Sequence, residues 1–255
     1  MDRTGLTQKL IVEFIGPFAL CFAGVGAIML TGDIVAIAFA HGLAIGLMIM
    51  AAGHISGGHF NPAVTVAMIA TRRIDGATGG AYIVAQLLGG LAGTLAIRAT
   101  VNDEIANAVS LGVPAVGAGF SNGNALFMEA ILTFFLVFSI FGSAVDPRSS
   151  KSIAGLVIGL TITMNILAGG GVSGAAMNPA RWFGPAIVQT EFSNLWIWIV
   201  GPIAGALVAA FVYNDVLLKG VRSTPAGGVP EAVHEVQDVT ASSPSGASET
   251  RRRRR

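Results

Sequence analysis

Charge is nearly absent from the long middle of the chain, and this restricts the fold more than any other feature of the sequence. Residues 10–218 contain 15 of the 29 charged residues (15 basic plus 14 acidic), and the two short ends contain the rest. Charged residues are 11% of the whole chain, against roughly 25% in a soluble domain. Soluble, disulfide-rich, nucleic-acid-binding and disordered classes are therefore excluded for the middle. We expect it to lie in a lipid bilayer.

Six apolar runs in this stretch are long enough to cross a membrane. A helix needs roughly 20 apolar residues to span a hydrocarbon core of about 30 Å. The sequence therefore predicts an all-α membrane protein, and the alternating segments of a transmembrane barrel are absent. The predicted spans are approximately Leu10–Leu30, Ile34–Ala52, Ala81–Ala99, Ala125–Val145, Ile153–Ala168 and Leu195–Leu218.

Two further apolar segments, Pro62–Thr71 and Pro179–Thr190, are too short to span. Each follows an asparagine, and Asn-Pro is a strong signal for a helix start, with Asn as the N-cap and Pro in the first turn. Ten residues of helix rise about 15 Å, which is half of the hydrocarbon core. We expect two half-helices that begin at the midplane.

The chain repeats itself. Glu13 opens the first span and Glu129 opens the fourth, and an Asn-Pro-Ala triplet follows each after a similar interval. The triplets are Asn61-Pro62-Ala63 and Asn178-Pro179-Ala180. Each copy, at about 10–99 and 125–218, contains three spans and one half-helix. Because three is odd, the second copy is inverted in the membrane, and the two half-helices are expected to meet.

The asparagines have a physical role at that meeting point. A helix start leaves backbone amides without partners, and at mid-membrane there is no bulk water to satisfy them. The carbonyl oxygens of Asn61 and Asn178 can accept from these amides, and we expect the NH₂ groups to donate into a lumen. Two such donors and two positive helix ends favour the oxygen of a neutral solute and repel cations. A water that accepts from both asparagines cannot accept a proton from its neighbour, so proton hopping is interrupted.

Lysine and arginine are unevenly placed between the loops. If both termini are cytoplasmic, 13 of the 15 cations fall on the cytoplasmic side, and only Arg98 and Arg181 fall elsewhere. We therefore predict a multi-pass protein with a short cytoplasmic N-terminus at 1–9, and a cell membrane is favoured over an organelle membrane. Residues 219–255 are predicted to be a disordered cytoplasmic tail, and its final Arg251–Arg255 run is favoured as a solvated end over a lipid-headgroup contact.

The two motifs resemble those of the aquaporin, or major intrinsic protein, family. The matching strings are Ser-Gly-Gly-His-Phe-Asn-Pro-Ala-Val-Thr at 56–65 and Ser-Gly-Ala-Ala-Met-Asn-Pro-Ala-Arg at 173–181. The resemblance covers about residues 8–218. It implies a right-handed bundle of six transmembrane helices and two half-helices, a homotetramer with one pore per subunit, and passive transport without a cofactor.

The resemblance also implies a selectivity filter of four residues. Carried over by spacing, these are His41, 20 residues before the first asparagine, Ile166, 12 residues before the second, and the loop residues Ala175 and Arg181. Arg181 is also conspicuous by itself, because a cation in the first turn of a helix opposes the dipole and is unfavourable in lipid.

The four filter residues together resemble the plant vacuolar branch of the family. Members of that branch pass water and often ammonia, urea or hydrogen peroxide, and we expect water plus small neutral solutes here. A glycerol-type facilitator is the alternative. Its usual Asp after Asn-Pro-Ala-Arg is replaced by Trp182 in this chain.

Several polar residues inside apolar segments have structural alternatives to a direct role. Glu13 and Glu129 are predicted to accept hydrogen bonds from the uncoiled backbone before each half-helix rather than to relay protons. His59 is assigned to the cytoplasmic vestibule, with simple packing as an equal alternative. His54 and His59 have no third ligand at a suitable spacing, so no metal site is expected.

Three classes of function remain to be separated. A passive channel is favoured over an ion-coupled secondary transporter, which also uses inverted repeats and broken helices but requires ligands for the coupling ion. An enzyme is not expected, because no nucleophile, base and orienting group occur at recognisable spacings, and Cys21, the only thiol, lies within the first span.

Overall fold

The computed structural model describes residues 4–221, so the predicted tail from Arg222 onward lies outside the described residues. The chain divides into two units at Lys219, and the fold given below is that of the first. Within residues 4–221 every regular element is helical. The α-helices are α1 (Leu6–Thr31), α2 (Ile34–Ser56), α3 (Pro62–Ala70), α4 (Gly76–Arg98), α5 (Asp103–Ala108), α6 (Asn122–Ile140), α7 (Ala154–Ser173), α8 (Pro179–Gln189) and α9 (Ile197–Phe211).

Six of these helices are long and apolar enough to cross a membrane: α1, α2, α4, α6, α7 and α9. The π-helical turns Phe141–Val145 and Val212–Leu217 extend α6 and α9, and the 3₁₀ turn Lys151–Ile153 precedes α7. The prediction of six spans and two half-helices, α3 and α8, is confirmed. Because six crossings return the chain to its starting side, α1 begins and α9 ends at the same face of the bundle. We call this face the terminal face and the opposite face the far face.

Some predicted boundaries are wrong, and local chemistry explains them. The helix α4 begins five residues before Ala81, because Asp75 caps it by accepting from the amides of Ala77 and Thr78. The helix α7 continues past the predicted end at Ala168, through a glycine run to Ser173. The short helix α5 between the repeats was not predicted, since its sequence is polar and lies outside the spans.

The packing of the helices repeats the internal symmetry. In the first repeat α1 packs against α2 and α4, and in the second α6 packs against α7 and α9. The half-helices cross over, because α3 packs against α9 and α8 packs against α4. Each half-helix therefore lies on the last long helix of the other repeat, and this exchange brings the two N-termini together.

The symmetry-related helices α2 and α7 cross at glycines. A Cβ at Gly42 would lie 2.4 Å from the carbonyl oxygen of Gly159, and a Cβ at Gly159 would lie 2.6 Å from that of Gly42. Both distances are below any real contact, and the obstacle is backbone that cannot rotate away. Such close approach of small residues is how helices associate in lipid, where van der Waals contact replaces the hydrophobic effect.

We expect Gly159→Ala to destabilise the bundle, because the added methyl group forces α2 and α7 apart. The free energy of unfolding should fall by about 1–3 kcal/mol, measured by thermal unfolding of the purified protein in detergent. Gly171→Ala on the same helix is the matched control, since a Cβ there meets no atom within 4 Å. Equal destabilisation by both substitutions would contradict this account of the crossing.

Candidate pore

A cavity of about 450 Å³ lies where the two half-helices meet. Its wall is largely apolar and comes mainly from α2, α6 and α7. The polar groups in the wall belong to the two half-helix regions and to a few other side chains. The apolar wall consists chiefly of Ile45, Ile49, Leu136, Ile140, Ile158 and Ile162. The cavity shares lining residues with one of about 720 Å³ toward the far face and one of about 680 Å³ toward the terminal face. The three cavities adjoin one another through the bundle, and together they are called the path below.

Both half-helices begin at an asparagine cap. Asn61 has extended backbone, and its Oδ1 accepts from the amide of Ala63 at 2.8 Å. Asn178 likewise accepts from the amide of Ala180 at 2.9 Å. Pro62 and Pro179 occupy the first helical position, where a missing N–H leaves no bond unmade. Both asparagines line the central cavity.

The asparagine amides also join the two half-helices to each other. Asn61 Nδ2 donates to the carbonyl of Met177 at 2.8 Å, and Asn178 Nδ2 donates to the carbonyl of Phe60 at 2.9 Å. Each NH₂ group is expected to donate into a lumen, but half of its hydrogen-bonding capacity is used within the protein. One N–H of each amide holds the opposite loop, and one remains for the lumen.

Glu13 and Glu129 hold the two uncoiled segments in place. Glu13 accepts from the hydroxyl of Ser56 at 2.6 Å and from the amides of His59 and Phe60 at 3.0 and 2.8 Å. Gln86 adds a fourth donor at 2.7 Å.

Glu129 accepts in the same pattern from the hydroxyl of Ser173 and the amides of Ala176 and Met177, at 2.7, 2.8 and 2.7 Å. Neither carboxylate lines the three cavities of the path. Both are therefore fully buried acceptors for backbone that has left the helical ladder.

The four residues carried over as a filter come together between the central and far cavities. His41, Ile166 and Arg181 line both cavities, and Ala175 lines the central one. Arg181 is only 3% exposed, and its Nε donates to His41 Nε2 at 3.4 Å. His41 Nδ1 lies 2.8 Å from the carbonyl of Ile37, so Nδ1 carries the proton and Nε2 presents a lone pair.

A sequence model of the family described as Major intrinsic protein matches residues 1–213. The chain belongs to the major intrinsic protein family. It is a membrane channel and not an enzyme, as the sequence predicted, and it passes water and small solutes passively.

Plant relatives and a solved structure agree with this assignment. The chain is 41% identical to nodulin-26 of Glycine max over 82% of this chain and 78% of the relative. It is 42% identical to aquaporin NIP1-1 of Oryza sativa subsp. japonica, over 81% and 73% of the two chains, and 40% identical to aquaporin TIP4-4 of Zea mays, over 84% and 88%. The aquaglyceroporin from Plasmodium falciparum superposes with a TM-score of 0.78 at 26% identity, covering 84% of this chain and 98% of that one.

Relatives named NIP and TIP match at nearly the same identity, so overall similarity does not select a branch. The resemblance of the filter to the vacuolar branch stays a prediction.

His59 lies on the path of the channel. It lines both the central cavity and the cavity at the terminal face. Its Nδ1 lies 3.2 Å from Thr65 Oγ1, and its ring packs edge-on against Tyr82 with centroids 5.3 Å apart. His59 therefore both lines the path and packs against its neighbours. His54 is exposed on α2, and residues 4–221 contain no group of three or more potential metal ligands.

Asn165 is a buried polar residue beside the path that sequence reasoning missed. Its Nδ2 donates to the carbonyl of Leu132 on α6 at 2.8 Å and to Met177 Sδ at 3.1 Å. It therefore connects α7 to α6 and to the loop before the second half-helix. The available signal was an amide side chain inside an apolar span, which is unfavourable in lipid without partners.

The loop between α6 and α7 is fastened at the terminal mouth of the path. Arg148 forms paired contacts with Asp146, with Nε–Oδ1 at 2.9 Å and NH2–Oδ2 at 2.6 Å, and Tyr213 donates to the same carboxylate at 3.1 Å. The Arg148 hydrogen bonds hold the pKa of Asp146 well below its usual range. Arg73 and Lys151 line this mouth, which makes it unfavourable to cations.

Proposed function

We propose that this channel conducts water, ammonia, urea and hydrogen peroxide and excludes protons and ions. The observation that carries the proposal is an apolar lumen in which hydrogen-bond donors converge at two levels. At the first level, Asn61 and Asn178 each keep one N–H after holding the opposite loop. At the second level stands Arg181, whose guanidinium has five N–H donors and uses two of them on His41 and Gly112.

Three guanidinium donors therefore remain for a passing solute. We assign the filter to His41, Ile166, Ala175 and Arg181. The lone pair on His41 Nε2 accepts from Arg181 Nε, so the imidazole holds the guanidinium while the remaining N–H groups of Arg181 donate at this level. The small Ala175 and the apolar Ile166 leave more space and fewer polar groups on the other sides. Such a filter suits a compact neutral molecule that carries hydrogen-bond acceptors.

Exclusion of cations follows from the same groups. The two half-helix N-termini each contribute about half a positive charge to the lumen, and Arg181 adds a full charge. A hydrated cation would lose water against the apolar wall without gaining an anionic ligand, because neither Glu13 nor Glu129 lines the path. The absence of a lumen carboxylate among residues 4–221 also favours a channel over an ion-coupled transporter.

Glycerol transport is a second candidate, favoured by the similarity to a solved aquaglyceroporin. Against it stands Trp182, which occupies the position where the glycerol branch usually has Asp. Its ring stacks on Trp198 with centroids 6.4 Å apart and planes at 5°. It lines none of the three cavities of the path. This position therefore offers the solute neither an acceptor nor a contact.

We also propose that the channel is a homotetramer and that it has a defined orientation in the membrane. Large apolar side chains are exposed on the outer faces of α2 and α7, among them Leu43, Leu47, Leu156 and Leu160. Lipid or neighbouring subunits of a homotetramer would cover them. From the lysine and arginine distribution, the terminal face is assigned to the cytoplasm, and a cell membrane is favoured as the location.

Stopped-flow light scattering on proteoliposomes tests the proposal, with water, urea, methylamine and glycerol as solutes and a peroxide-sensitive dye for hydrogen peroxide. Water, urea and methylamine should cross faster than in empty liposomes, and glycerol should not. Glycerol flux equal to urea flux would favour the second candidate. Uphill accumulation of a solute under an ion gradient would refute a channel.

His41→Phe is expected to lower urea and ammonia permeability while water permeability persists. The phenyl ring is bulkier where the histidine ring already packs on Gly24, at which a Cβ would lie 2.4 Å from Nε2, so it narrows the filter. The urea-to-water permeability ratio should fall about fivefold. His54→Phe, on the exposed side of the same helix, is the control and should change neither flux. Equal loss of water and urea flux in His41→Phe would count against the filter assignment.

A further inference from the structure

A strained turn lies beside the filter. Ser110, Leu111 and Gly112 all have positive φ, at 46°, 51° and 66°. This conformation is disfavoured for Ser110 and Leu111, because a Cβ comes too close to the following carbonyl oxygen. Two hydrogen bonds close the turn, from Gly112 N to Val109 O at 2.8 Å and from Val113 N to Ser110 O at 3.0 Å. Strained backbone persists only where its surroundings hold it, and it is concentrated at binding sites.

Leu111 is the side chain that holds this turn. It is completely buried and packs in a cluster with Cys21 and Val25 of α1, Ile97 of α4 and Ala106 of α5. Ser110, its neighbour in the turn, is exposed. Leu111 is therefore the apolar anchor within the turn itself, inserted between helices that belong to the first repeat and to the connection between the repeats.

The turn presents a carbonyl to the filter arginine. Arg181 NH1 donates to Gly112 O at 2.8 Å, a shorter bond than the 3.4 Å contact of its Nε with His41. Arg181 forms no ion pair with any residue in the range 4–221. The orientation of the buried Arg181 guanidinium therefore depends on two neutral acceptors. The backbone carbonyl of Gly112 makes the closer of the two contacts.

We propose that Leu111 is a positioning residue that sets the solute selectivity of the channel. By anchoring the left-handed turn, it fixes the Gly112 carbonyl, and the carbonyl fixes the Arg181 guanidinium at the filter. The inference rests on the proposed function, because it takes Arg181 as the filter arginine. If Leu111 served packing alone, its truncation would lower stability without changing which solutes pass.

The test measures the ratio of urea to water permeability in proteoliposomes of the full-length protein. Leu111→Ala should raise this ratio about threefold, because the guanidinium is no longer held at the filter. Ile97→Ala is the matched control: it opens a cavity in the same cluster from α4, does not alter the turn, and should leave the ratio unchanged. Leu111→Met conserves the volume of the anchor and should also keep the wild-type ratio.

A second variant moves the carbonyl by another route. In Gly112→Ala a Cβ is placed at φ 66° and 3.0 Å from Ile28 Cδ1, so the left-handed backbone of the turn is strained at the carbonyl itself while Leu111 stays. It should raise the ratio in the same direction, which keeps the inference testable if Leu111→Ala does not assemble. In an Arg181→Val background, neither substitution should raise the ratio further.

The outcomes separate the inference from the function on which it rests. If Arg181→Val raises the ratio but Leu111→Ala and Gly112→Ala do not, the positioning role is wrong and the filter stands. If Ile97→Ala raises the ratio as much as Leu111→Ala, packing of the cluster explains the effect and the inference is overturned. If Arg181→Val leaves the ratio unchanged, the filter assignment itself fails.

Discussion

Glu129→Leu is expected to abolish the folded channel. The carboxylate accepts three buried donors, from Ser173 Oγ and from the amides of Ala176 and Met177. Leucine accepts none, and each buried donor left without a partner costs about 1–3 kcal/mol. The combined loss of roughly 3–9 kcal/mol is comparable to the whole stability of a typical domain, about 5–15 kcal/mol. Size-exclusion chromatography in mild detergent should show aggregation in place of a single peak.

Two milder variants show whether the hydrogen bonds are responsible. Glu129→Gln keeps the shape and one acceptor oxygen, so it should fold with reduced thermal stability. Thr133→Val, one turn further along α6, removes a buried hydroxyl that donates only to the carbonyl of Glu129 within the helix. It should leave elution and stability nearly unchanged. A Glu129→Leu protein with normal elution and water flux would show that the uncoiled segment does not depend on this carboxylate.

Arg181→Val is expected to produce the largest change in selectivity. The substitution removes the only charged group that lines the filter and gives the second half-helix the residue that the first has at the corresponding position, Val64. Urea permeability relative to water should rise about tenfold, equivalent to about 1.4 kcal/mol of lost discrimination. Proton and cation leak should rise as well, because the buried positive charge is gone.

Arg98→Val is the matched control for this experiment. Arg98 is the other cation outside the loops assigned to the cytoplasm, and it ion-pairs with Asp103 at the end of α4. It lines none of the cavities on the path, so water, urea and proton fluxes should all stay at wild-type values. An unchanged urea-to-water ratio in Arg181→Val would refute the filter.

The architecture could be predicted from the sequence because its determinants are local. Span lengths follow from apolar runs between polar clusters, and the half-helix starts follow from Asn61-Pro62 and Asn178-Pro179. The inversion follows from counting three spans in each repeat. Two predicted boundaries were wrong. The cap at Asp75 makes α4 begin earlier than predicted, and α7 continues through a glycine run beyond its predicted end.

The finer geometry of the pore could not be predicted, because its contacts join residues far apart in the chain. The Asn61 amide is directed by the carbonyl of Met177, 116 residues later. Arg181 is directed by a carbonyl of the connecting loop, 69 residues earlier, whose left-handed turn has no marker in the sequence except Gly112. Such acceptors are backbone atoms, and only the fold determines which of them reach the lumen.

The most direct measurement records water and proton flux in the same proteoliposome preparation, by light scattering after an osmotic step and by an entrapped pH dye after a pH step. Paired asparagine donors and a buried arginine in an apolar lumen predict water permeability well above that of empty liposomes, with proton flux no higher than theirs. Proton flux that rises together with water flux, or water flux equal to that of empty liposomes, would contradict the account.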